Sequence, residues 1–351
     1  MYPLLARLHQ RSRVEVRVLA KPSHVRRNSR FALTFEQLGL VPKSAGFLRM
    51  RFFYKFDIGG CDAFLTMADP LHDESSRGRR SEYLAKIGKP TVFMQHGALQ
   101  VNVNYPNSGQ RLDYHSILVL LWQKGLFEEK VLSDSVLHRS RQVGFTKTRV
   151  QSPLPLAREV QEWRQCHSHS LLICHSFRWG GGRHGANELA RFHESLDVLL
   201  SSRRELGVLL RPHRGRGRGE PANLATILEQ RHPNLIVSRE REGPLKGASI
   251  HDCIELCDGV VAPASTVVLD AAYAGKPVAL FEDPHRFFPE LPTLQSVDEL
   301  SAFASDPMAH LAAAEAVRRR YGDVHDNIEA AAEAVEDALV GIRTAAAGCR
   351  R

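Results

Sequence analysis

A histidine at the end of an apolar run is the first residue of this chain whose type and position could support chemistry. The run is TVFMQHGALQ, from Thr91 to Gln100, and it is typical of a buried strand that stops at His96. Ligands of α/β proteins bind at the carboxyl ends of parallel strands, and an imidazole there can act as a general base near neutral pH. The alternative is a hydrogen-bonded histidine packed at a strand end. Asp69, in TMADP, also follows a predicted strand, and it would orient the base, contact an acceptor or cap the next helix.

A second candidate lies where a strand meets a helix, in the stretch APASTVVLDAAYAGKPVALFED. The pattern predicts that Ser265 and Thr266 stand at the N-terminus of this helix. Unpaired backbone N–H groups and the helix dipole favour a phosphate there, and the two hydroxyls would add further donors. Serine and threonine are also the usual N-cap residues, so an ordinary helix cap explains the same pattern.

The stretch LLRPHRGRGRGE contains two donors where another predicted strand ends. Arg211 can form a bidentate pair with phosphate oxygens, and His213 adds a further donor, so the two side chains suit a diphosphate. The basic loop that follows has the Arg-Gly repeats of RNA-binding segments, but those segments carry interleaved aromatic residues that this loop lacks. We therefore predict no specific nucleic-acid partner.

A glycine-rich loop, HSFRWGGGRHG, opens the second half of the chain. Gly181 lies in a run that lets the backbone approach a ligand closely, and Arg178 adds positive charge. The loop matches neither the GxGxxG pattern of dinucleotide-binding proteins nor the GxxxxGK[ST] pattern of nucleotide hydrolases, so we predict no nicotinamide cofactor and no ATP hydrolysis. No DxD-like acidic pair follows a strand end, and the histidines lack metal-ligand spacing, so we predict a site without metal.

These candidate residues need parallel strands to position them, and the order of apolar and amphipathic stretches predicts such strands. Strand-like runs alternate with helical stretches in the first half, and a similar alternation begins after a proline-containing break. We predict an α/β fold with two Rossmann-like domains facing across a cleft and a C-terminal helix packing back. The predicted bounds are 1–152 for the first domain, 153–165 for a linker and 166–351 for a second domain with terminal helices.

The first half of the chain begins in an unusual way for a domain of this class. Its predicted strands are Val14–Ala20, Cys61–Ala68, Pro90–His96 and Ser116–Leu121, and a predicted helix precedes the first of them. Such domains normally open with a strand, so either the first strand is missing from the gene as read or the sheet has been trimmed. At the other end, the alanine-rich segment 307–344 is predicted to be helical.

Composition and charge limit the classes of protein to which the chain can belong. Its 351 residues are 43% hydrophobic and 25% charged, which is ordinary for a globular protein, and the length suits about two domains. No apolar run reaches the roughly 20 residues of a membrane span, the start lacks a signal-peptide pattern, and the six cysteines are scattered. We therefore predict a cytoplasmic protein with reduced thiols. The formal charge of +8 and the isoelectric point near 9.3 favour anionic partners such as nucleotides, phosphorylated acceptors or a membrane surface.

Several motifs occur in the order found in GT-B transferases of surface-polymer synthesis. They are FMQHG, VGFTKTR, RPH and DGVVAPASTVVLDAAYAGKPV. The chain resembles the CDP-glycerol glycerophosphotransferases of teichoic-acid assembly and the capsule-type transferases that use nucleotide-activated sugars. This resemblance implies a GT-B-like fold with an acceptor-side first domain and a nucleotide-donor second domain. By this resemblance, His96 corresponds to the first-domain histidine proposed as the base on an acceptor hydroxyl. His213 corresponds to the second-domain histidine that contacts the donor diphosphate, and Ser265 and Thr266 correspond to the serine/threonine pair at the donor phosphates.

The resemblance also implies a reaction, the metal-independent transfer of a sugar or glycerol phosphate from a CDP-, CMP- or UDP-linked donor. The acceptor would be a surface polysaccharide, a teichoic-acid-like polymer or a lipid-linked glycan. Asp252 and Glu255 fall in the acidic stretch of the family and would contact the sugar or cytidine of the donor. No cofactor is implied, and peripheral contact with the inner face of an anionic membrane stays open. Two alternatives also stay open, a non-hydrolysing UDP-sugar epimerase-like enzyme and a non-catalytic basic module that binds anions.

Overall fold

A computed structural model of the chain describes residues 2–11, 13–20, 35–36, 39–40, 43–44, 60–67, 78–105, 111–149, 156–175, 186–212, 224–239, 242–283 and 286–348. The chain divides into two compact units. Unit 1 comprises Met1–Thr148 and Tyr321–Arg351, and unit 2 comprises Arg149–Arg320. Within the described ranges, no helix is both long enough and apolar enough to cross a membrane.

Strands and helices alternate along the chain. The strands are β1 (Leu19–Ala20), β2 (Lys43–Ser44), β3 (Phe64–Thr66), β4 (Thr91–Met94), β5 (Leu118–Leu121), β6 (Ser140–Gln142), β7 (His169–His175), β8 (Leu206–Pro212), β9 (Leu235–Val237), β10 (Gly259–Pro263) and β11 (Val278–Glu282). The helices are α1 (Tyr2–Gln10), α2 (Gly78–Lys86), α3 (Leu126–Val131), α4 (Asp134–His138), α5 (Arg158–Gln165), α6 (Ala186–Ser202), α7 (Leu224–Arg231), α8 (Ile250–Leu256), α9 (Thr266–Tyr273), α10 (Val297–Ser305), α11 (Leu311–Tyr321) and α12 (Val324–Gly348), with a 3₁₀ helix at Pro307–His310.

Unit 1 contains a parallel sheet of four strands, β3 to β6, that lie side by side in chain order. All four side chains of β4 and all four of β5 are buried. A parallel strand covered on both faces needs apolar residues at successive positions, and this explains why TVFM and LVLL do not alternate with polar residues. The short strands β1 and β2 pair in parallel with each other in a separate sheet.

Helices α1 and α12 pack together although they lie near opposite ends of the chain. Leu8 of α1 belongs to the same buried cluster as Ala332 and Val335 of α12. At the edge of this contact, Nη1 of Arg11 donates to a carboxylate oxygen of Glu336 at 3.0 Å. Surface ion pairs contribute only about 0–1 kcal/mol, so the apolar contact provides most of the stabilisation.

Gly144 lies at a crowded junction between the end of β6 and the start of α12. Its φ is +72°, and a Cβ at this position would lie 2.4 Å from the carbonyl oxygen of Tyr321 and from the side-chain amide of Asn327. We expect Gly144→Ala to lower the free energy of unfolding by about 1–3 kcal/mol, because left-handed backbone strain adds to a steric clash. Urea denaturation of the full chain measures this change.

Gly341 in α12 provides a matched control for the same substitution. A Cβ there would meet no atom within 4 Å, and alanine is the better helix former by about 0.8–1 kcal/mol. Gly341→Ala should therefore leave the unfolding midpoint unchanged or raise it. Equal unfolding midpoints for Gly144→Ala and Gly341→Ala would contradict the proposed steric clash and backbone strain at position 144.

Unit 2 contains a five-stranded parallel sheet with the order β11-β10-β7-β8-β9. Strand β7 is central, and the chain first adds β8 and β9 on one side and then β10 and β11 on the other. This is the strand order of a Rossmann-type half, with its topological switch point between β7 and β10. The register pairs Ile173 with Val261, so the carboxyl ends of the two switch-point strands lie beside each other.

The two faces of this sheet carry different helices. One face packs against α6, α7 and α10 in a buried cluster that includes Ile173, Leu210, Leu199, Leu228 and Phe303. Helices α8 and α9 contact β7 and β10 and supply other buried residues outside that cluster. Successive residues of a strand point to opposite faces of the sheet. The strand residue that follows each member of this cluster therefore points toward α8 and α9.

The units differ from the predicted domain bounds at two places. Residues 158–165, predicted as part of a linker, form α5 and belong to unit 2. Nη2 of Arg164 in this helix lies 2.9 and 3.0 Å from the two carboxylate oxygens of Asp258, which fixes α5 to the start of β10. Residues 321–351, predicted as part of the second domain, belong to unit 1 because α12 packs against α1.

Some predicted elements also differ in extent. The predicted strand Val14–Ala20 is confined to Leu19–Ala20, and the short strand β6 was not predicted. The predicted helical segment 307–344 is interrupted at Gly322, whose φ of +80° ends α11 before α12 begins.

Candidate functional site

The start of α9 is an uncapped helix N-terminus at the switch-point edge of the unit 2 sheet. Ser265 occupies the N-cap position with extended backbone, and its side chain makes no capping hydrogen bond. Its carbonyl oxygen accepts from the N–H of Val268 at 3.2 Å. If Ser265 were an ordinary N-cap, its hydroxyl would accept a hydrogen bond from a backbone N–H of the first turn. The structure does not show that hydrogen bond. The hydroxyl of Ser265 therefore does not cap the first turn, and a helix N-terminus of this kind can bind an anion.

Arg211 lies at the carboxyl end of β8 and points toward α8. Its Nη1 donates to the hydroxyl of Ser238 at 2.8 Å and lies 3.1 Å from the thiol of Cys253 and 3.4 Å from the carbonyl oxygen of Ala248. No carboxylate of the described residues lies within ion-pair distance of this guanidinium. Because Nη1 alone makes these contacts, the edge formed by Nε and Nη2 keeps the fork geometry that suits a phosphate.

Arg239, just beyond the neighbouring strand β9, shows the opposite arrangement. Its Nη1 donates to a carboxylate oxygen of Glu229 at 2.6 Å, and its Nη2 donates to the hydroxyl of Thr226 at 3.0 Å. Both arginines are half-buried near the same sheet edge, but of the two only Arg239 has a carboxylate partner among the described residues. The contrast indicates that Arg239 is structural, whereas no described carboxylate neutralises the positive charge of Arg211.

A buried acid–imidazole pair lies one turn below the start of α9. Nε2 of His251 in α8 is 3.4 Å from Oδ1 of Asp270 in α9, and both residues are buried. Asp270 follows Thr266 by four positions, so the two side chains lie on the same face of the helix. The contact joins α8 to α9 one turn below the helix start. Neither residue was among the predicted site residues.

Two further residues near this edge were also missed by the sequence analysis. His175, the last residue of β7, is buried, with its ring centroid 5.2 Å from that of Phe192 in α6 and 6.0 Å from that of His193. Cys174 points to the other face, where burial raises the pKa of its thiol to about 12, Arg211 opposes that rise, and Cys253 and Asp270 add to it. A thiol with this pKa stays protonated at neutral pH, so Cys174 is no nucleophile.

The two acidic residues predicted to contact a donor have partners within unit 2. A carboxylate oxygen of Asp252 accepts from the N–H of Ser249 at 2.6 Å, and the hydroxyl of Ser249 accepts in return from the N–H of Asp252 at 3.1 Å. This reciprocal pair is a capping box that begins α8. Glu255 forms an ion pair with Arg149. Their role toward a donor stays a prediction.

In unit 1, the candidate base His96 lies on the loop that follows β4. Gln95 leaves the strand with its side chain buried, donating to the carbonyl oxygen of Gly97 at 2.8 Å and accepting from the N–H of Trp122 at 2.7 Å. The side chain of His96 is exposed, and its backbone N–H donates to Oε1 of Gln100 at 3.0 Å. The loop thus presents an imidazole to solvent on a backbone fixed by side-chain amides.

The remaining predicted site residues lie outside the described residues. They are Asp69, Arg178, Gly181 and His213. Among the described residues, the candidate groups form one set in unit 1, around His96, and one set in unit 2, around Arg211 and the start of α9.

Comparisons with known proteins identify the fold. No protein-family model and no curated protein sequence matches the chain. Solved structures do match it along most of its length. The UDP-GlcNAc 2-epimerase of Methanocaldococcus jannaschii, solved with UDP-GlcNAc and UDP, matches with a TM-score of 0.57 and 11% identity, over 94% of this chain and 94% of its own.

Two further structures are similar over comparable lengths. The spinosyn forosaminyltransferase SpnP matches with a TM-score of 0.51 and 14% identity, over 96% of this chain and 95% of its own. A histidine-to-asparagine variant of the wall teichoic acid polymerase TagF, soaked with CDPG, matches with a TM-score of 0.51 and 11% identity, over 97% of this chain and 84% of its own. With its two parallel-sheet α/β units, the chain therefore has the predicted GT-B-like fold.

Proposed function

We propose that the protein is a metal-independent transferase that moves a sugar or glycerol phosphate from a nucleotide-activated donor to a surface-polymer or lipid-linked acceptor. The observation that carries the proposal is the presence of a helix N-terminus and an arginine at the carboxyl edge of the unit 2 sheet. There, Ser265 leaves the first turn of α9 uncapped, and Arg211 offers a guanidinium edge with no carboxylate partner among the described residues. Helix N–H groups and an arginine fork are the donors that a diphosphate requires.

The chemistry follows from where charge develops during transfer. The acceptor hydroxyl attacks the transferred group, and the bond from that group to the nucleotide phosphate breaks. The electron pair of that bond goes to the leaving phosphate oxygen, and Arg211 with the N-terminus of α9 would stabilise the added negative charge. His96 would take the proton of the acceptor hydroxyl as the new bond forms.

The distribution of charge between the units supports an anionic acceptor. Unit 1 carries 26 lysine and arginine residues against 18 aspartate and glutamate residues, whereas unit 2 carries 21 of each. The whole formal charge of +8 therefore belongs to unit 1, which holds the candidate base. Excess positive charge attracts phosphorylated or carboxylated chains and raises their rate of association. Teichoic-acid-like and lipid-linked acceptors have this chemistry.

A UDP-sugar epimerase-like activity is the second candidate. It is favoured by the similarity of the fold to UDP-GlcNAc 2-epimerase, which has a higher TM-score than the two other structures described. Proton NMR separates the candidates, because an epimerase converts a UDP-sugar to its C2 epimer without any acceptor. A transferase leaves the donor sugar unchanged until an acceptor is supplied.

We expect a CDP-, CMP- or UDP-linked donor to raise the melting temperature of the protein. A ligand present at 100 times its Kd and bound only to the folded state adds about 2.7 kcal/mol. For domains of this size, each kcal/mol corresponds to a shift of about 2–4 °C. A thermal-shift panel of these nucleotides, with the matching nucleoside monophosphates, tests the prediction.

Salt distinguishes a donor site from a non-catalytic basic module. Electrostatic docking of a polyanion weakens steeply as the salt concentration rises, whereas protection by a nucleotide held in a preformed site should change little. Heparin, as a generic polyanion, serves as the control ligand. If no nucleotide of the panel shifts the melting temperature while heparin does so at low salt, the basic-module alternative replaces the transferase.

A further inference from the structure

Gln95 stands between the last residue of β4 and His96, and only 2% of its surface is exposed. Its backbone N–H donates to the carbonyl oxygen of Leu120 in β5 at 3.0 Å, so the backbone pairing of the sheet continues to this residue. His96, the next residue, is exposed. Gln95 therefore lies where the sheet passes into the loop that carries the candidate base.

Both ends of the Gln95 side-chain amide form hydrogen bonds with backbone groups. Nε2 donates to the carbonyl oxygen of Gly97 at 2.8 Å, and Oε1 accepts from the N–H of Trp122 at 2.7 Å. A carbonyl oxygen can only accept and a backbone N–H can only donate, so these two partners fix the orientation of the amide. The first of these hydrogen bonds spans His96, because it joins the residue before it to the residue after it.

Trp122, whose N–H donates to Gln95, is itself joined to the segment that follows β6. Its Nε1 donates to the hydroxyl of Thr146 at 3.3 Å, and its ring centroid lies 5.0 Å from that of Phe145 in an edge-to-face arrangement. Trp122, Thr146 and Phe145 are all buried. The amide of Gln95 thus attaches the loop of His96 to a packed edge formed by the residues that follow β5 and β6.

A second group of hydrogen bonds lies within the loop itself. The N–H of His96 donates to Oε1 of Gln100 at 3.0 Å, and the N–H of Gln100 donates to Oδ1 of Asn104 at 2.9 Å. Nδ2 of Asn104 donates in turn to the carbonyl oxygen of Ala98 at 2.6 Å. These bonds give the loop its own shape, whereas the amide of Gln95 attaches that shape to the end of β5.

We infer that Gln95 is a positioning residue for His96. The inference rests on the proposed function, in which the imidazole of His96 takes the proton of the acceptor hydroxyl. A general base must lie within about 2.6–3.2 Å of the group that gives up the proton, and a misplacement of about 1 Å can lower the rate about 10²-fold. Because the side chain of His96 is exposed, its place depends chiefly on its backbone, which the amide of Gln95 spans.

The test compares Gln95→Leu with Thr91→Val in the full-length protein. Leucine is similar in size to glutamine but can neither donate to Gly97 nor accept from Trp122. Thr91 is buried at the opposite end of β4, where its hydroxyl lies 3.0 Å from that of Ser116. Thr91→Val therefore removes a buried side-chain hydrogen bond from the same strand without touching the loop.

We expect Gln95→Leu to lower kcat for donor turnover by about 10–100-fold, because the imidazole loses its fixed place. The KM for the donor should stay unchanged, since the proposed donor groups belong to unit 2, and Thr91→Val should keep the wild-type kcat. A merely structural role of Gln95 predicts equal losses of kcat in the two variants, and that result overturns the inference. A wild-type kcat in a folded Gln95→Leu variant also overturns it.

The double variant with His96→Ala shows whether Gln95 acts through the imidazole. If it does, Gln95→Leu should cause little further loss of kcat once His96 is alanine, because residues that act as one unit are not additive. Losses that multiply would show that Gln95 acts on another group, and they overturn the inference. Normal turnover in His96→Ala alone is a different outcome, because it contradicts the base assigned in the proposed function.

Amide hydrogen exchange gives a readout that needs no activity, and Gln95→Asn covers the case in which Gln95→Leu does not fold. Asparagine keeps a buried amide but is one methylene shorter, so it cannot reach both Gly97 and Trp122. We expect the peptide 95–100 to exchange about tenfold faster in Gln95→Asn than in the wild type, and at the wild-type rate in Thr91→Val. Wild-type exchange in the asparagine variant, or equal acceleration in both variants, overturns the inference.

Discussion

Replacing His96 with alanine is expected to lower turnover of the donor by about 10²–10⁴-fold, the usual contribution of a general base. Nucleotide release from the donor in the presence of acceptor measures this change. The effect should fall on kcat, because the imidazole acts on the acceptor proton and the proposed phosphate donors belong to unit 2. The nucleotide-induced shift in melting temperature should accordingly be the same in the variant and in the wild type.

His138 provides a matched control for this substitution. It is an exposed histidine at the end of α4 in the same unit, so His138→Ala removes an imidazole of similar exposure from another place. Wild-type turnover in His138→Ala and a strong loss in His96→Ala would support the assignment. His96→Asn refines it, because an asparagine keeps a polar side chain but cannot accept the proton. Normal turnover in either His96 variant removes this residue from the mechanism.

The placement of His96 follows from sequence because strand ends leave a local signal. The apolar run from Pro90 to Met94 ends at Gln95, and the chain must leave the sheet where the next residues are polar or glycine. The structure ends β4 at Met94, with Gln95 buried. The backbone N–H of Gln95 still donates to the carbonyl oxygen of Leu120 in β5 at 3.0 Å. Its side-chain amide adds hydrogen bonds to Gly97 and Trp122, and a partner 27 positions away leaves no local pattern.

Strand β6 and the unit to which α12 belongs could not be predicted from local pattern. The strand Ser140–Gln142 has three polar residues, of which one is buried, so neither hydrophobicity nor alternation distinguishes it from a loop. The alanine-rich helix α12 shows its apolar stripe in the sequence, but a stripe does not identify the partner that covers it. The stripe packs against α1, at the other end of the chain, and against residues of β4 and β5.

The buried pair of His251 and Asp270 was missed for a related reason, although it left a usable signal. Asp270 stands in the apolar helix TVVLDAAY, and a carboxylate on a buried helix face requires a partner. The sequence therefore shows that a partner exists, and the structure identifies it as His251.

Replacing Arg211 with methionine is expected to lower kcat/KM for the donor by about 10²–10³-fold, the effect of removing one donor that faces developing negative charge. Methionine keeps most of the length and the apolar stem of arginine but has no charge. Unlike His96→Ala, this variant should also reduce the nucleotide-induced shift in melting temperature, because Arg211 would contact the donor before any bond breaks. Steady-state kinetics and the thermal-shift panel test both statements.

Two control variants separate the anion-binding role of Arg211 from its structural contacts. Ser238→Ala removes one acceptor of Nη1 but keeps the guanidinium, so its effect should be far smaller. Arg239→Met removes an arginine of similar burial that is neutralised by Glu229, and it should lower stability without affecting the donor. Equal losses of kcat/KM in Arg211→Met and Arg239→Met would show that general disruption of the sheet edge explains the effect.

Arg211→Lys then tests whether the geometry of the guanidinium matters in addition to its charge. The lysine ammonium keeps the positive charge but has a single nitrogen. It therefore cannot contact Ser238 and also present two parallel N–H groups to a phosphate, as a guanidinium can. We therefore expect lysine to recover only a small part of the loss caused by methionine. If Arg211→Lys restores kcat/KM to near the wild-type value, a point charge suffices, and the proposed bidentate contact with the donor phosphates is wrong. The uncapped start of α9 would then remain as the directional element of the site, because its N–H groups do not depend on the residue at position 211.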